Sequence, residues 1–152
     1  MDLIDIAQNI LRDCMGAKQG EEVLIVTDDS RVNIAQALYK GAVNLGCEAM
    51  MMVMKERELN GEEPPKAVAE AMKAADIVIC PTAKSLTHTN ARIRAAETGT
   101  RVATMPGITE KMFSQGAMTA DYAAVEQLTA RITGMLTASK TARIEKDGCV
   151  LT

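Results

Sequence analysis

Four short apolar runs that recur at nearly equal intervals constrain the fold of this chain more than any other feature. They begin at residues 23, 47, 76 and 101, so that 24 to 29 residues separate one start from the next. Such an interval holds one helix and its two connections, which is typical of βαβ units with parallel strands. Because the runs are apolar throughout rather than alternating, we expect helices to cover both faces of the sheet.

Helical periodicity fills the intervals between the runs. It predicts a helix before the first run, ended by Gly16, and another after it, with Gly46 at its C-terminal end. Pro65 is suited to the first turn of the next helix, since its missing N–H costs nothing there. Pro81 is expected to end the third strand, because proline cannot donate to a strand ladder. Two further helices are expected at about 87–97 and 120–139.

These elements predict a three-layer α/β domain over residues 1–140, of the Rossmann-like or flavodoxin-like kind. Right-handed crossovers and the adjacency of sequential strands favour a parallel sheet in the strand order 2-1-3-4. The Asp147-Gly148 pair is typical of a two-residue turn, so we expect residues 141–152 to form a C-terminal β-hairpin.

Charge and aromatic content exclude two classes of partner. The 152 residues carry 17 Lys and Arg against 20 Asp and Glu, with two Tyr, one Phe and no Trp. Such a chain has neither the basic surface nor the stacking rings of a nucleic-acid-binding protein. Its longest apolar run, at 49–54, is too short to span a membrane, and its N-terminus is acidic where a signal peptide is basic. We therefore expect a soluble cytoplasmic domain that binds neither nucleic acid nor membrane.

Cysteine and histidine spacing predicts no metal site within the chain. The four cysteines are dispersed without a C-x-x-C pair, and His88 is the sole histidine. We expect the cysteines to be structural, with Cys47 and Cys80 packed as small apolar side chains. The loops also lack the glycine-rich motifs that cradle a nucleotide phosphate. We therefore predict neither catalytic residues nor metal ligands in this chain.

A three-layer α/β domain binds its ligands beyond the carboxyl ends of its strands. The loops concerned are 27–31, 82–90 and 106–111. Asp28 and Asp29 are similar to the acidic pair of response-regulator receivers, but Cys80-Pro81-Thr82 stands where the phosphate-accepting Asp belongs. We therefore expect one of the two acids to cap the second helix and both to face water. The methionines within 50–54 we interpret as gap-filling core.

The densest polar stretch follows the third apolar run and supports two interpretations. Ser85 or Thr87 is suited to cap the next helix, which would place His88 in its first turn. Backbone N–H groups favour anions there, so a small carboxylate or a peptide group could bind. In the second interpretation, the Ser and Thr side chains only cap the helix and the stretch faces solvent without a ligand. This interpretation does not explain the pairing of His88 with Arg92. Farther along the chain, Thr109 is suited to cap a helix after a Pro-Gly turn.

Two stretches resemble a known family. One reads Ser85-x-x-His88-Thr89-x-Ala91-Arg92, and the other reads Met105-Pro106-Gly107-Ile108-Thr109 and is followed by Asp121-Tyr122. Together they resemble the N-terminal half of the thermophilic metallo-aminopeptidases, aminopeptidase T and aminopeptidase S, which are often called leucyl aminopeptidases. The same fold family is similar to the iron-dependent dihydroxypyridine ring-opening dioxygenases.

The resemblance implies a domain that flanks a metal site held elsewhere. The metal ligands of the family lie in a C-terminal half without a counterpart here, so residues 141–152 would lead into an absent metal-binding domain. It also implies zinc or cobalt in the full-length protein, a peptide or small-molecule substrate, a homo-oligomer such as a dimer, and an inactive isolated chain. The alternative is a non-catalytic small-molecule-binding or assembly module, or the equivalent domain of a dioxygenase-like enzyme.

The candidate substrate rim follows from the same two stretches. Because the third and fourth strands are neighbours in the predicted order, the loops after them should share one edge of the sheet. The candidate rim residues are Ser85, His88, Arg92, Pro106, Gly107 and Thr109.

Overall fold

A four-stranded parallel sheet forms the centre of the compact unit that ends at Thr119. The computed structural model describes residues 2–152, and the strands of the sheet are β1 (Glu22–Asp28), β2 (Glu48–Met54), β3 (Ile77–Thr82) and β4 (Arg101–Pro106). They lie in the order β2-β1-β3-β4, and every neighbouring pair is parallel. The predicted α/β class, parallel pairing and strand order are therefore confirmed.

Six α-helices lie within residues 2–152. They are α1 (Leu3–Asn9), which continues as a π-helical turn over Ile10–Cys14, α2 (Val32–Asn44), α3 (Lys66–Ala74), α4 (Asn90–Glu97), α5 (Glu110–Ser114) and α6 (Tyr122–Ala138). The chain forms two compact units, one up to Thr119 that contains the sheet and one over Ala120–Thr152. The second unit contains α6 and a hairpin of β5 (Ile144–Lys146) and β6 (Cys149–Leu151). The domain limits given above, 1–140 and 141–152, stay a prediction.

Both faces of the two central strands are buried. Every residue of β1 from Val23 to Asp28 is buried, as is every residue of β3. Side chains alternate across a strand, so Ile25 packs with α1, α2 and α5, whereas Leu24 packs with α3 and α4. This two-sided cover is what the uninterrupted apolar runs predict for central strands.

The edge strands are less covered than their sequences predict. In β2, Met50 is 43% exposed and Val53 is 47% exposed, and β4 is only partly buried. The expectation of helices over both faces of every strand therefore holds only in part for β2. Met54 is buried, and Met51 and Met52 are half-buried against the apolar clusters on opposite faces of the sheet, whereas the assignment of Met50 to the core is wrong. An edge strand has a neighbour on one side only, and the helices pack mainly over the centre of the sheet.

The fourth helix begins later than predicted. It starts at Asn90 rather than near residue 87, because the Thr89 hydroxyl oxygen accepts a hydrogen bond from the backbone N–H of Arg92 at 3.3 Å and caps it. Ser85 and Thr87 do not cap this helix, since the Ser85 hydroxyl donates to the Thr87 hydroxyl at 2.9 Å.

Pro81 lies inside β3 rather than at its end. Its carbonyl accepts a hydrogen bond from the Thr27 hydroxyl at 2.9 Å on the side of β1, where backbone pairing between the two strands has ended at Ile79. The nitrogen of a strand residue faces the same side as its carbonyl. The missing N–H of Pro81 therefore costs no ladder bond.

The hairpin of the second unit forms at the predicted turn. Asp147 and Gly148 have φ angles of 51° and 79°, which is the left-handed pair that a type I′ turn requires. Strands β5 and β6 pair antiparallel on either side of it.

None of the helices within residues 2–152 combines the length and the apolar character needed to cross a membrane.

The four cysteines divide into two kinds, and none forms a disulfide. Cys47 and Cys80 are buried, as expected, and burial raises the pKa of the Cys80 thiol to about 12. A thiol with so high a pKa stays protonated near neutral pH and behaves as an apolar side chain. Cys14 and Cys149 are exposed instead.

Replacing Phe113 by Ala is expected to lower the free energy of unfolding by about 3–5 kcal/mol. Phe113 is fully buried in α5 and packs with the cluster that α1 and α2 form over the sheet. Its neighbour Met112 is 54% exposed, so Met112→Ala should change the same free energy by less than about 0.5 kcal/mol. Urea denaturation of both variants measures the difference. Equal losses of unfolding free energy would contradict the packing of α5 against the core through Phe113.

Candidate functional site

A buried carboxylate joins two loops at the carboxyl edge of the sheet. Asp28, at the end of β1, is 1% exposed. Its Oδ1 accepts from the backbone N–H of Ser30 at 3.1 Å and from the Ser30 hydroxyl at 2.6 Å, and its Oδ2 accepts from the Ala83 N–H at 2.6 Å. Asp28 therefore caps the 3-10 turn Asp29–Arg31 that precedes α2 rather than α2 itself, and the expectation that both acids face water is wrong for Asp28. Its position between two adjacent strand ends buries it, whereas Asp29 is exposed.

The loops that follow β3 and β4 are also bonded to each other. The Gly107 N–H donates to the Thr82 carbonyl at 2.8 Å, and the hydroxyl oxygens of Thr87 and Thr104 are 2.8 Å apart. Gly107 has a φ of 67°, a left-handed conformation that glycine adopts without strain. The structure therefore brings the His88 loop and the Gly107 turn to the same edge, as predicted.

Two of the candidate rim residues shape the loop after β3. The Ser85 hydroxyl accepts from the Thr87 N–H at 3.2 Å, and the Arg92 Nε donates to the Thr87 carbonyl at 2.8 Å. Both side chains are half-buried and directed at their own loop. Their hydrogen bonds hold both backbone polar groups of Thr87, the residue that precedes His88.

The other candidates are more accessible. His88 is exposed, and no hydrogen bond joins its imidazole to another of residues 2–152. Pro106 and Gly107 are exposed as well. Thr109 caps α5 as predicted, with its hydroxyl oxygen accepting from the Met112 N–H at 3.2 Å. His88 is therefore the candidate side chain that is most available to a ligand.

A carboxylate of the chain itself occupies the first turn of α4. Glu63 accepts hydrogen bonds from the backbone N–H of Asn90 at 2.6 Å, from the Asn90 side-chain amide at 3.0 Å and from the Ala91 N–H at 3.1 Å. The first turn of α4 thus binds a carboxylate, a negative charge that the helix dipole favours at this end. That carboxylate comes from the loop before α3, 27 residues away in the chain, and no local sequence signal points to it.

A cavity of about 300 Å³, called here the α2–α5 cavity, lies between the first turns of α2 and α5 at the same edge. Its lining residues are Ser30, Arg31, Asn33, Ile34, Thr109 and Glu110. The Asn33 amide donates to Glu110 Oε1 at 2.8 Å and links the two helices. Thr109 is the one candidate rim residue among them. Arg31 and Glu110 belong to loops that the predicted fold indicates, but no motif distinguishes them there.

The residues present do not fit a zinc or cobalt site. Among residues 2–152, no three His, Cys, Asp or Glu side chains lie close enough together to hold a metal ion. A catalytic zinc requires about three protein ligands converging on one point.

No protein-family model and no curated protein sequence matches the chain. Among solved structures, it is similar to a 2,5-dihydroxypyridine dioxygenase from Pseudomonas putida KT2440, with 15% identity and a TM-score of 0.55 over 68% of this chain and 33% of that chain. It is also similar to a fatty acid ABC transporter substrate-binding protein from Thermomonospora curvata, with 14% sequence identity and a TM-score of 0.52 over 90% of this chain and 40% of that chain. AmpT from Thermus thermophilus has 16% sequence identity to the chain and a TM-score of 0.43, over 68% of this chain and 35% of that chain.

These similarities concern the fold. At such identities, the dioxygenase and the substrate-binding protein share an α/β architecture with the chain, and nothing about activity follows. The structural neighbours include an aminopeptidase and a dioxygenase, both at low identity. The chain spans between 33% and 40% of the length of these three proteins.

Replacing Asp28 by Ala is expected to lower the free energy of unfolding by about 3 kcal/mol, because three partly buried hydrogen bonds, from the Ser30 N–H, the Ser30 hydroxyl and the Ala83 N–H, lose their acceptor. Asp29→Ala, at the exposed neighbour, should change it by less than about 0.5 kcal/mol. Urea denaturation measures both values, and amide hydrogen exchange should show loss of protection at Ala83 in the Asp28 variant alone. Unchanged protection at Ala83 would contradict the hydrogen bond from its N–H to Asp28.

Proposed function

We propose that the chain is the N-terminal domain of a metal-dependent aminopeptidase of the leucyl aminopeptidase kind, and that it flanks an active site held by another part of the protein. One observation supports this most. The two stretches that resemble the family meet at the carboxyl edge of the sheet, where the Gly107 N–H bonds to the Thr82 carbonyl at 2.8 Å. Stretches that contribute to one substrate rim must lie at one edge.

The rim would consist of an accessible part and a supporting part. His88, Pro106 and Gly107 are exposed at this edge and would contact the substrate or the neighbouring domain. Ser85 and Arg92 would hold the loop that presents His88, through their bonds to Thr87. Zinc or cobalt in the full-length protein would supply the activated water and polarise the peptide carbonyl.

A second candidate function is a small-molecule-binding module without chemistry of its own. The α2–α5 cavity favours it, since about 300 Å³ lies at the lower end of the size range of ligand pockets. The equivalent domain of a dihydroxypyridine dioxygenase-like enzyme is a variant of this alternative, for which the shared fold is the support. With either function, we place the protein in the cytoplasm and expect neither nucleic acid nor membrane as a partner.

The isolated chain is expected to bind no catalytic metal and to hydrolyse no leucyl anilide, whereas a longer protein that contains it should do both. Calorimetric titration with zinc and cobalt, beside an anilide assay, measures the two properties. The reading frame beyond Thr152 provides the discriminating comparison, because the proposal expects a following segment rich in His and Glu.

Two outcomes decide the proposal. Stoichiometric tight metal binding by the isolated chain, with turnover that is lost in His88→Ala, would show that the chemistry resides here. In the longer protein, His88→Ala should lower kcat/KM without changing metal content, while Arg94→Ala, on the exposed part of α4, should change neither. A reading frame that continues without such a segment would favour the binding module.

Self-association is expected through α6. Its apolar residues are exposed in the second unit, with Leu128 at 54% and Ile132 at 45%, and exposed apolar surface of this kind tends to find a partner. Leu128→Glu should shift the chain towards monomer, whereas Gln127→Glu, which adds the same charge beside it, should not. Sedimentation velocity over a concentration series measures the shift, and a wild-type chain that stays monomeric throughout would refute the expectation.

A further inference from the structure

Two opposite charges line the α2–α5 cavity without neutralising each other. Arg31 stands on one part of its lining and Glu110 on another. Neither takes part in an ion pair among residues 2–152. The guanidinium and the carboxylate are therefore farther apart than an ion pair allows, although they border the same space.

The positive charge of Arg31 is poorly compensated. One terminal nitrogen of the guanidinium donates to the Ser30 carbonyl at 2.9 Å. Its Nε is shielded from solvent and has no hydrogen-bond partner within the described part of the chain. A cation that is partly removed from water and lacks a counter-charge is costly, so an anionic group in the adjoining cavity would be stabilised.

The negative charge of Glu110 sets the second requirement. It accepts a hydrogen bond from the Asn33 amide at 2.8 Å, but an amide is neutral and leaves the carboxylate charge in place. A simple anion in this cavity would be repelled by Glu110, and a simple cation would be repelled by Arg31. A ligand with both charges satisfies both residues.

We propose that the α2–α5 cavity binds a small zwitterion with the charge pattern of a free amino acid. Its carboxylate lies towards Arg31 and its ammonium towards Glu110. The Thr109 hydroxyl, which accepts from Met112 N–H, still has its own proton to donate. The proposal does not rest on the aminopeptidase function, since it uses only the charges and size of the cavity.

Calorimetric titration of the full 152-residue chain tests the charge requirement. The probes are L-leucine, L-serine and glycine, together with two relatives of leucine that keep one charge each, 4-methylpentanoate and isoamylamine. At least one zwitterion should bind, and each single-charge compound should bind roughly tenfold or more weakly than leucine, as expected for the loss of one charged hydrogen bond.

Two variants test which residue binds which charge of the ligand. Arg31→Gln should weaken binding of the zwitterion roughly tenfold or more, yet bind isoamylamine more tightly than the wild type. Glu110→Gln should weaken zwitterion binding likewise, yet bind 4-methylpentanoate more tightly. Arg94→Gln and Glu97→Gln, at exposed positions of α4, are the matched controls and should leave every affinity unchanged.

Several results would overturn the proposal. They are binding of none of the three zwitterions, wild-type binding of a single-charge compound as tight as that of leucine, or affinities that neither variant changes. Circular dichroism establishes that each variant is folded. If Arg31→Gln does not fold, Glu110→Gln at its exposed position and the single-charge compounds still decide the outcome.

Discussion

The burial of β1 and β3 on both faces is the constraint on which the other features of the structure depend. Two apolar strands in the middle of a sheet must be covered from both sides, and α1, α2 and α5 do so on one face while α3 and α4 do so on the other. Covering both faces requires crossovers that leave β1 in two directions, which produces the order β2-β1-β3-β4. All four carboxyl ends then lie at one edge, together with the loops that carry the polar residues.

Most polar side chains at that edge hold the loops in place. Asp28 bonds to the loop after β3, Thr87 bonds to Thr104 of β4, and Glu63 bonds to the first turn of α4. Asp28 is buried and Thr87 is half-buried, so their hydrogen bonds would be costly to lose, whereas Glu63 is exposed. These hydrogen bonds hold the edge together, and its accessible chemistry comes from groups that are exposed or that lack an ion-pair partner among residues 2–152.

Two such places remain, and they are separate. His88 and the Gly107 turn face outward on the part of the edge made by β3 and β4, where the aminopeptidase proposal needs a rim. Arg31 and Glu110 line the α2–α5 cavity on the face covered by α2 and α5. Thr109 is both a candidate rim residue and part of the cavity lining, but the residues that decide the two proposals, His88 on one side and Arg31 with Glu110 on the other, are different, so the failure of one leaves the other standing.

By itself, the sequence determined what local patterns encode: the apolar strands, their parallel class and order, the Thr109 cap and the Asp147-Gly148 hairpin. These follow from periodicity, proline and glycine chemistry, and connection length, which act over a few to about 30 residues. Only the tertiary structure decided the burial of Asp28, the exposure of β2 and the lining of the cavity. Asp28 and its partner Ala83 are 55 residues apart in the chain, and what lies beside a residue at that distance depends on strand order and packing rather than on any local pattern.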